Sequence, residues 1–446
     1  MIVYNAKIVD CSGSRDGWIK VGDGKIEATG EGIPAAALLD AESECIDARG
    51  AYLIPGLVDT HVHFREPGLE YKGNIESESL AAVAGGVVTV FDMPNTKPAT
   101  TTELELANKA YRIERLGAYC RVVPLMGLVP GAMRELKRLY PENNAAVKLF
   151  LGTSTGAMAS PDDAELRDVF HFCADNGLPI IVHAEDNDII ARNMQEMLAR
   201  YGSPEAIPVE AHELIRSGEA CLRSSERAVE LAERFGTRLH LAHVSTAEEV
   251  ENLLSEGPTQ GKLITAETTP LYLEPAWPGR NGRHKVNPAI KGTRHAEALA
   301  KALVTGAIDT IGTDHAPHLL EEKMLPGITA MSGAPSVQFA LPVMLRYLPI
   351  ETVVRKMTAG PRDVFGLQCT TELVPGAAAD FVMVEECEPH ELGDNDVLSL
   401  CRWTPFAGIT VRHRVAATWI DGVKVWDSAA PEKACHAAKQ NVTISR

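Results

Sequence analysis

The chain has 446 residues, 45% hydrophobic and 23% charged, with a formal net charge of −17. That length exceeds one ordinary domain but suits an α/β barrel of roughly 250–320 residues with a smaller companion. The acidic balance argues against a nucleic-acid or anionic-membrane surface, while leaving room for a local cationic centre.

Met1–Asp10 lacks the basic and apolar regions of a signal peptide, and no run approaches the about 18 apolar residues of a membrane span. Nine cysteines without a C-x-x-C pair read as reduced, so a cytoplasmic location is expected.

Residues 1–52 are rich in short β-like runs, with Gly22-Asp23-Gly24 as a hairpin turn. Runs around 380–384, 414–420 and 423–426 resemble them, the last two joined by Asp421-Gly422. The expectation is a small β-sandwich domain assembled from residues 1–52 and 372–430, flanking a barrel over 53–371. Residues 431–446 read as a polar tail. Within 53–371, apolar strand candidates fall at 53–63, 87–94, 121–128, 146–151, 179–185, 238–245, 263–270 and 310–317. Each is followed by a segment able to hold a helix, with 3.6-residue spacing strongest over Glu219–Phe235 and Ala296–Thr305. Eight such units predict a (β/α)8 TIM barrel.

The strand ends carry the chemistry. His61 and His63 are two apart on one strand, so both imidazoles face one side. Further candidates close other strands: Asn95, Lys148, His183, His243 and Asp314. A single histidine at a strand end is more often a core or loop residue. Four at carboxyl-terminal strand ends, with Asp314, point to a metal centre at a barrel mouth. His240, three residues before His243, is expected on the opposite strand face as a structural residue. Lys148 stands in an apolar strand, where an ammonium beside metal dications would be repelled. Carboxylated by carbon dioxide, it becomes an anion whose two oxygens can bridge two ions. Such a site keeps positive charge, polarises a carbonyl and attracts an anionic substrate.

At these residues the chain resembles the amidohydrolase superfamily and, within it, the dihydroorotases. The resemblance rests on His61-Val-His-Phe-Arg-Glu-Pro-Gly68, Asp92-Met-Pro-Asn-Thr96, His243-Val-Ser-Thr246 and Gly312-Thr-Asp-His-Ala-Pro-His318. It implies two zinc ions per chain, one held by His61, His63 and Asp314 and the other by His183 and His243. Carboxylated Lys148 would bridge them. It further implies Asp314 as proton carrier, and Arg65, Asn95 and His318 as the grip on a substrate carboxylate. Lys285–Lys291 is similar to the family's substrate loop, which makes Asn287 a fourth substrate contact. That loop usually has two prolines and a later arginine. Residues 280–284 have no counterpart, and residues 334–338 depart from the family's usual segment. The implied reaction is the interconversion of N-carbamoyl-L-aspartate and L-dihydroorotate, with a small-molecule substrate and a homo-oligomer such as a dimer. Rival readings are a dihydropyrimidinase, hydantoinase or allantoinase, and a silent scaffold for aspartate transcarbamoylase. The filled ligand set argues against the scaffold, and nothing in the sequence supports that partner.

Overall fold

The computed structural model describes residues 1–139, 144–152, 158–274, 277 and 279–436. Both ends of the chain build one sheet. Ile2–Asp10 pairs antiparallel with Gly13–Gly22, which pairs with Lys25–Glu31. On its other side Ile2–Asp10 meets Tyr52–Pro55, then Phe381–Glu391, Thr410–Ile420 and Val423–Asp427 follow in order. Two Asp-Gly hairpin turns recur, Asp23-Gly24 and Asp421-Gly422, with all four residues at positive φ. That backbone matches the twist of a two-residue hairpin. The segment just before Phe381 closes over the edge strand Lys25–Glu31, with Ile26 N donating to Ala377 O at 2.9 Å. Lys25 bridges Ala378, and one core of Val3, Ile8, Ile19, Leu53, Phe381 and Trp419 fills the interior. Of the tail expected over 431–446, Pro431–Lys433 form a single 3-10 turn, and everything from 437 on lies outside the described residues.

Tyr52–Pro55 belongs to this terminal sheet, paired with Val384–Phe381. Gly56 donates to Asp380 O at 3.0 Å, and the chain then enters the barrel. Its strands are β1 (Leu57–Val62), β2 (Val87–Asp92), β3 (Arg121–Pro124 continuing as Met126–Leu128) and β4 (Val147–Phe150). They are completed by β5 (Ile180–His183), β6 (Leu239–Leu241), β7 (Ile264–Thr268) and β8 (Thr310–Ile311). Every neighbouring pair is parallel. The fold is the expected (β/α)8 barrel with a small β domain from both termini. The strands read as continuous apolar runs because helices cover one face and the barrel interior the other.

Local signals set the helices. Thr102 and Glu105 form a reciprocal cap on Glu103–Leu116. Ser217 caps Gly218–Phe235, and Gly236 ends it in the left-handed conformation. No helix among the described residues is long and apolar enough to cross a membrane.

Closure between β8 and β1 is made at the mouth. Val62 bridges His315, and His63 N donates to His315 O at 2.7 Å. Asp59 fastens the seam from within, accepting from Thr313 N at 2.9 Å, Thr313 Oγ1 at 2.5 Å and His61 N at 3.1 Å. Burial nevertheless raises the Asp59 carboxyl to about 6. At the opposite end Arg121 of β3 reaches Asp380 at 2.6 Å and Asp421 at 3.0 Å, tying the barrel to the terminal sheet.

Candidate active site

The carboxyl-terminal ends of the strands bring His61, His63, Arg65, Asn95, His183, His243, Asn287 and Asp314 to one cavity, with Phe150, Ser332 and Gly333. Lys148 and His318 stand just behind this lining. Lys148 is fully buried in β4, with Nζ 3.5 Å from His61 Nε2. Burial brings its ammonium down to about 8. His318 Nε2 is 3.1 Å from Arg65 Nη2.

The ligand atoms of His61, His63 and Asp314 lie within 4.8 Å of one another. Asp314 Oδ1 is 3.1 Å from His63 Nε2 and 3.5 Å from His61 Nε2. Burial opposes its charge, yet these imidazoles hold its carboxyl below the ordinary range. On the adjoining side His183 Nδ1 and His243 Nε2 face each other at 2.9 Å. Burial lowers His63 to about 4 and His243 well below the usual imidazole range, favouring the neutral rings a metal needs.

Behind these rings stands a set of acceptors. His61 Nδ1 donates to Glu267, which also accepts from Thr60 Oγ1 at 2.9 Å. His63 Nδ1 donates to Asn95 Oδ1 at 2.6 Å. His183 Nε2 lies 3.0 Å from Glu185, whose other partner is Arg216. The acceptors of His61 and His63 fix a tautomer and leave Nε2 turned inward, which is how metal-ligating histidines are supported, whereas His183 has Glu185 beside it without a hydrogen bond. The donor set therefore fits divalent ions of the zinc type: neutral imidazoles, one carboxylate and a buried amine converging on one space.

Strand alternation alone does not aim all of these groups. His243 (φ 38°), Asp314 (φ 50°) and Arg65 (φ 70°) occupy the left-handed region that side chains avoid. At His243 this turn, just past the end of β6, brings the ring inward. His240 does not point away from the site as expected. It faces the interior, 3.5 Å from Glu267 and 2.9 Å from Thr265 Oγ1, and its role is structural.

The other side of the cavity carries cations. Arg65 is 4% exposed, donates through Nε to Pro317 O at 2.9 Å and meets His318 through Nη2. A neutral imidazole accepts at only one nitrogen. His318 Nδ1 lies 3.1 Å from Lys72 Nζ and 3.4 Å from Glu322, which pairs with Lys72 at 2.7 Å, so Arg65 and Lys72 compete for the ring's single acceptor. His212 Nε2 lies 3.0 Å from both Val286 O and Asn287 Oδ1.

Sequence reading passed over Glu267, Glu185, Asp59 and His212. The available signal was acidic residues inside apolar strands, as in Ile264-Thr-Ala-Glu-Thr268. Residues 280–284 also acquire a place: Arg280 holds Ile290 O and Glu213, while Arg283 forks onto Asp394 at 2.7 Å.

A family model described as "Amidohydrolase family" matches residues 52–425. The chain belongs to the amidohydrolase family. Among curated relatives, a dihydroorotase of Halobacterium salinarum is 35% identical, covering 92% of this chain and 93% of its own. A dihydroorotase of Pelobacter propionicus is 32% identical, with coverages of 96% and 99%. Among solved structures, the L-hydantoinase (dihydropyrimidinase) of Arthrobacter aurescens superposes with a TM-score of 0.85 at 27% identity, covering 98% and 97%. A dihydropyrimidinase of Brevibacillus agri shares the fold at 20% identity, with a TM-score of 0.82 and coverages of 100% and 99%.

Proposed function

We propose that this amidohydrolase is a dihydroorotase, interconverting N-carbamoyl-L-aspartate and L-dihydroorotate in pyrimidine synthesis, as a cytoplasmic homo-oligomer. The observation that carries the reading is Arg65. Its guanidinium is buried at the cavity that holds the histidine cluster, and among the described residues it has no carboxylate in ion-pair contact. An unpaired buried charge is costly, and a ring carboxylate would complete it through charge-assisted hydrogen bonds. Relatives named dihydroorotase, similar over more than nine-tenths of the chain, support the same reading.

In this reading His61, His63 and Asp314 would hold one zinc ion and His183 and His243 a second, with Lys148, as its carbamate, as the ligand that would serve both. Ions bound there would polarise the scissile carbonyl and acidify water. Asp314 takes the proton of the water that adds to the ring amide carbonyl. It returns that proton to the ring nitrogen as the carbon–nitrogen bond breaks, and ring closure runs the same transfers backwards. Arg65, Asn95, Asn287 and His318 orient the carboxylate side of the substrate.

A hydantoinase-type activity is the second reading, favoured by the Arthrobacter likeness. Hydantoin and dihydrouracil lack the ring carboxylate and would leave Arg65 unmatched. A spectrophotometric assay of zinc-loaded protein with dihydroorotate, dihydrouracil, hydantoin and allantoin separates the two. Dihydroorotate should be preferred by a factor of about ten or more, the worth of one charge-assisted hydrogen bond. A preference for an uncharged ring returns the assignment to the hydantoinases.

A further inference from the structure

Two lysines adjoin the substrate side of the cavity, and their surroundings differ. Lys323 is fully buried, and its ammonium donates to Lys285 O at 2.7 Å, Met331 O at 2.5 Å and Gly333 O at 2.7 Å. An ammonium has three protons, so Lys323 is saturated. It clips the loop that carries Asn287 to the loop that carries Ser332 and Gly333.

Lys285 is the opposite case. It is 8% exposed, and its Nζ donates to Ser332 Oγ at 2.8 Å. Among the described residues it has no further acceptor and no carboxylate in ion-pair contact. Glu185, whose charge also acts on Lys285, is in ion-pair contact with Arg216 and His183 and not with Lys285. A nearly buried ammonium with one neutral partner and unused donors is an unfinished interaction.

Its neighbours share that polarity. An ammonium only donates, so Ser332 Oγ accepts from it, and the remaining protons of Lys285 are donors beside the cavity that Ser332 lines. Asn287 Oδ1 shares the His212 Nε2 proton with Val286 O, which turns the oxygen toward His212 and leaves the amide protons for the cavity that Asn287 lines. Arg65 adds the remaining donors. A wall that holds Arg65, with Lys285 directly behind Ser332 and neither cation paired with a carboxylate among the described residues, suits an anion and disfavours a neutral ring edge.

We propose that Lys285, seated by Ser332, is a specificity-determining residue that recognises the ring carboxylate together with Arg65. The inference rests on the dihydroorotase reading and deepens it: the selected class is cyclic amides bearing a carboxylate, and their ring-opened dicarboxylates.

The test compares wild type, Lys285→Met and Ser332→Ala, each zinc-loaded and checked for an unchanged melting temperature. KM and kcat are measured with dihydroorotate, and inhibition constants with orotate and uracil, which share a ring but differ by the carboxylate. Lys285→Met should raise KM and the orotate constant about tenfold, the worth of one charge-assisted hydrogen bond. Its kcat and its affinity for uracil should change less than about twofold. Ser332→Ala should move the same quantities in the same direction by a smaller factor, and it carries the test if Lys285→Met does not fold. Wild-type KM and orotate affinity in the folded variant overturn this inference alone, as does an equal loss for orotate and uracil. A wild-type protein that ignores dihydroorotate and binds orotate no better than uracil overturns the dihydroorotase reading as well.

Discussion

The two walls of the cavity are equally buried and are supported in opposite ways. Behind the inward-facing imidazoles stand acceptors, Glu267 for His61 and Asn95 for His63, with Glu185 beside His183. Behind Arg65 and Lys285 stand a carbonyl, an imidazole and a hydroxyl, with no carboxylate in ion-pair contact among the described residues. Acceptors behind a ring fix its tautomer and make the free nitrogen a better ligand. Acids withheld from a cation leave its charge for the ligand. In the proposed reading, one wall is finished for the hydrolytic chemistry and the other is left open for a charged substrate.

Breaking the first wall should have the largest effects. Lys148→Ala removes the proposed bridge, and near-complete loss of activity with loss of one or both ions is expected. Metal analysis and turnover check it, with added short carboxylic acids restoring part of the rate. A fully active variant would end the carbamate assignment. Asp314→Asn keeps an oxygen but no proton carrier, so turnover should fall about 10²–10⁴-fold while metal content falls far less. Normal turnover at normal metal content would remove Asp314 from proton transfer. Glu267→Gln tests the support rather than the ligand: a loss of about 10–100-fold in zinc affinity or activity is expected. Zinc competition with a chromogenic chelator reads it, and wild-type affinity would mean that the His61 ring needs no carboxylate.

The second wall should respond more selectively. Arg65→Met should lower kcat/KM for dihydroorotate and carbamoyl aspartate at least about tenfold. Any uncharged ring that is turned over should be spared. An equal loss for charged and uncharged rings would make Arg65 a purely structural residue.

Much of this was legible before folding, and the reason is geometric. In a parallel barrel every strand ends at the same face, so residues closing separate apolar runs must share a mouth. His61, His63, His183, His243 and Asp314 could therefore be placed together from strand boundaries alone. The supporting residues were not legible in the same way. Glu267 and Glu185 sit at strand ends where a cap or a surface turn is the commoner use of an acid. Their work depends on which ring stands opposite in space. Arg283 and Asp394 are 111 positions apart and leave no local pattern. The inward turn of His240 escaped a count of alternation, because His243 lies past its strand with a backbone that resets the alternation.

That backbone has a consequence for how the protein ages in sequence space. Arg65, His243 and Asp314 each hold a conformation that glycine adopts freely and that costs another residue of order 1 kcal/mol. Glycine at these positions would relax the chain and remove the side chains of the proposed site. If these residues act as proposed, activity and stability pull in opposite directions at the mouth of the barrel.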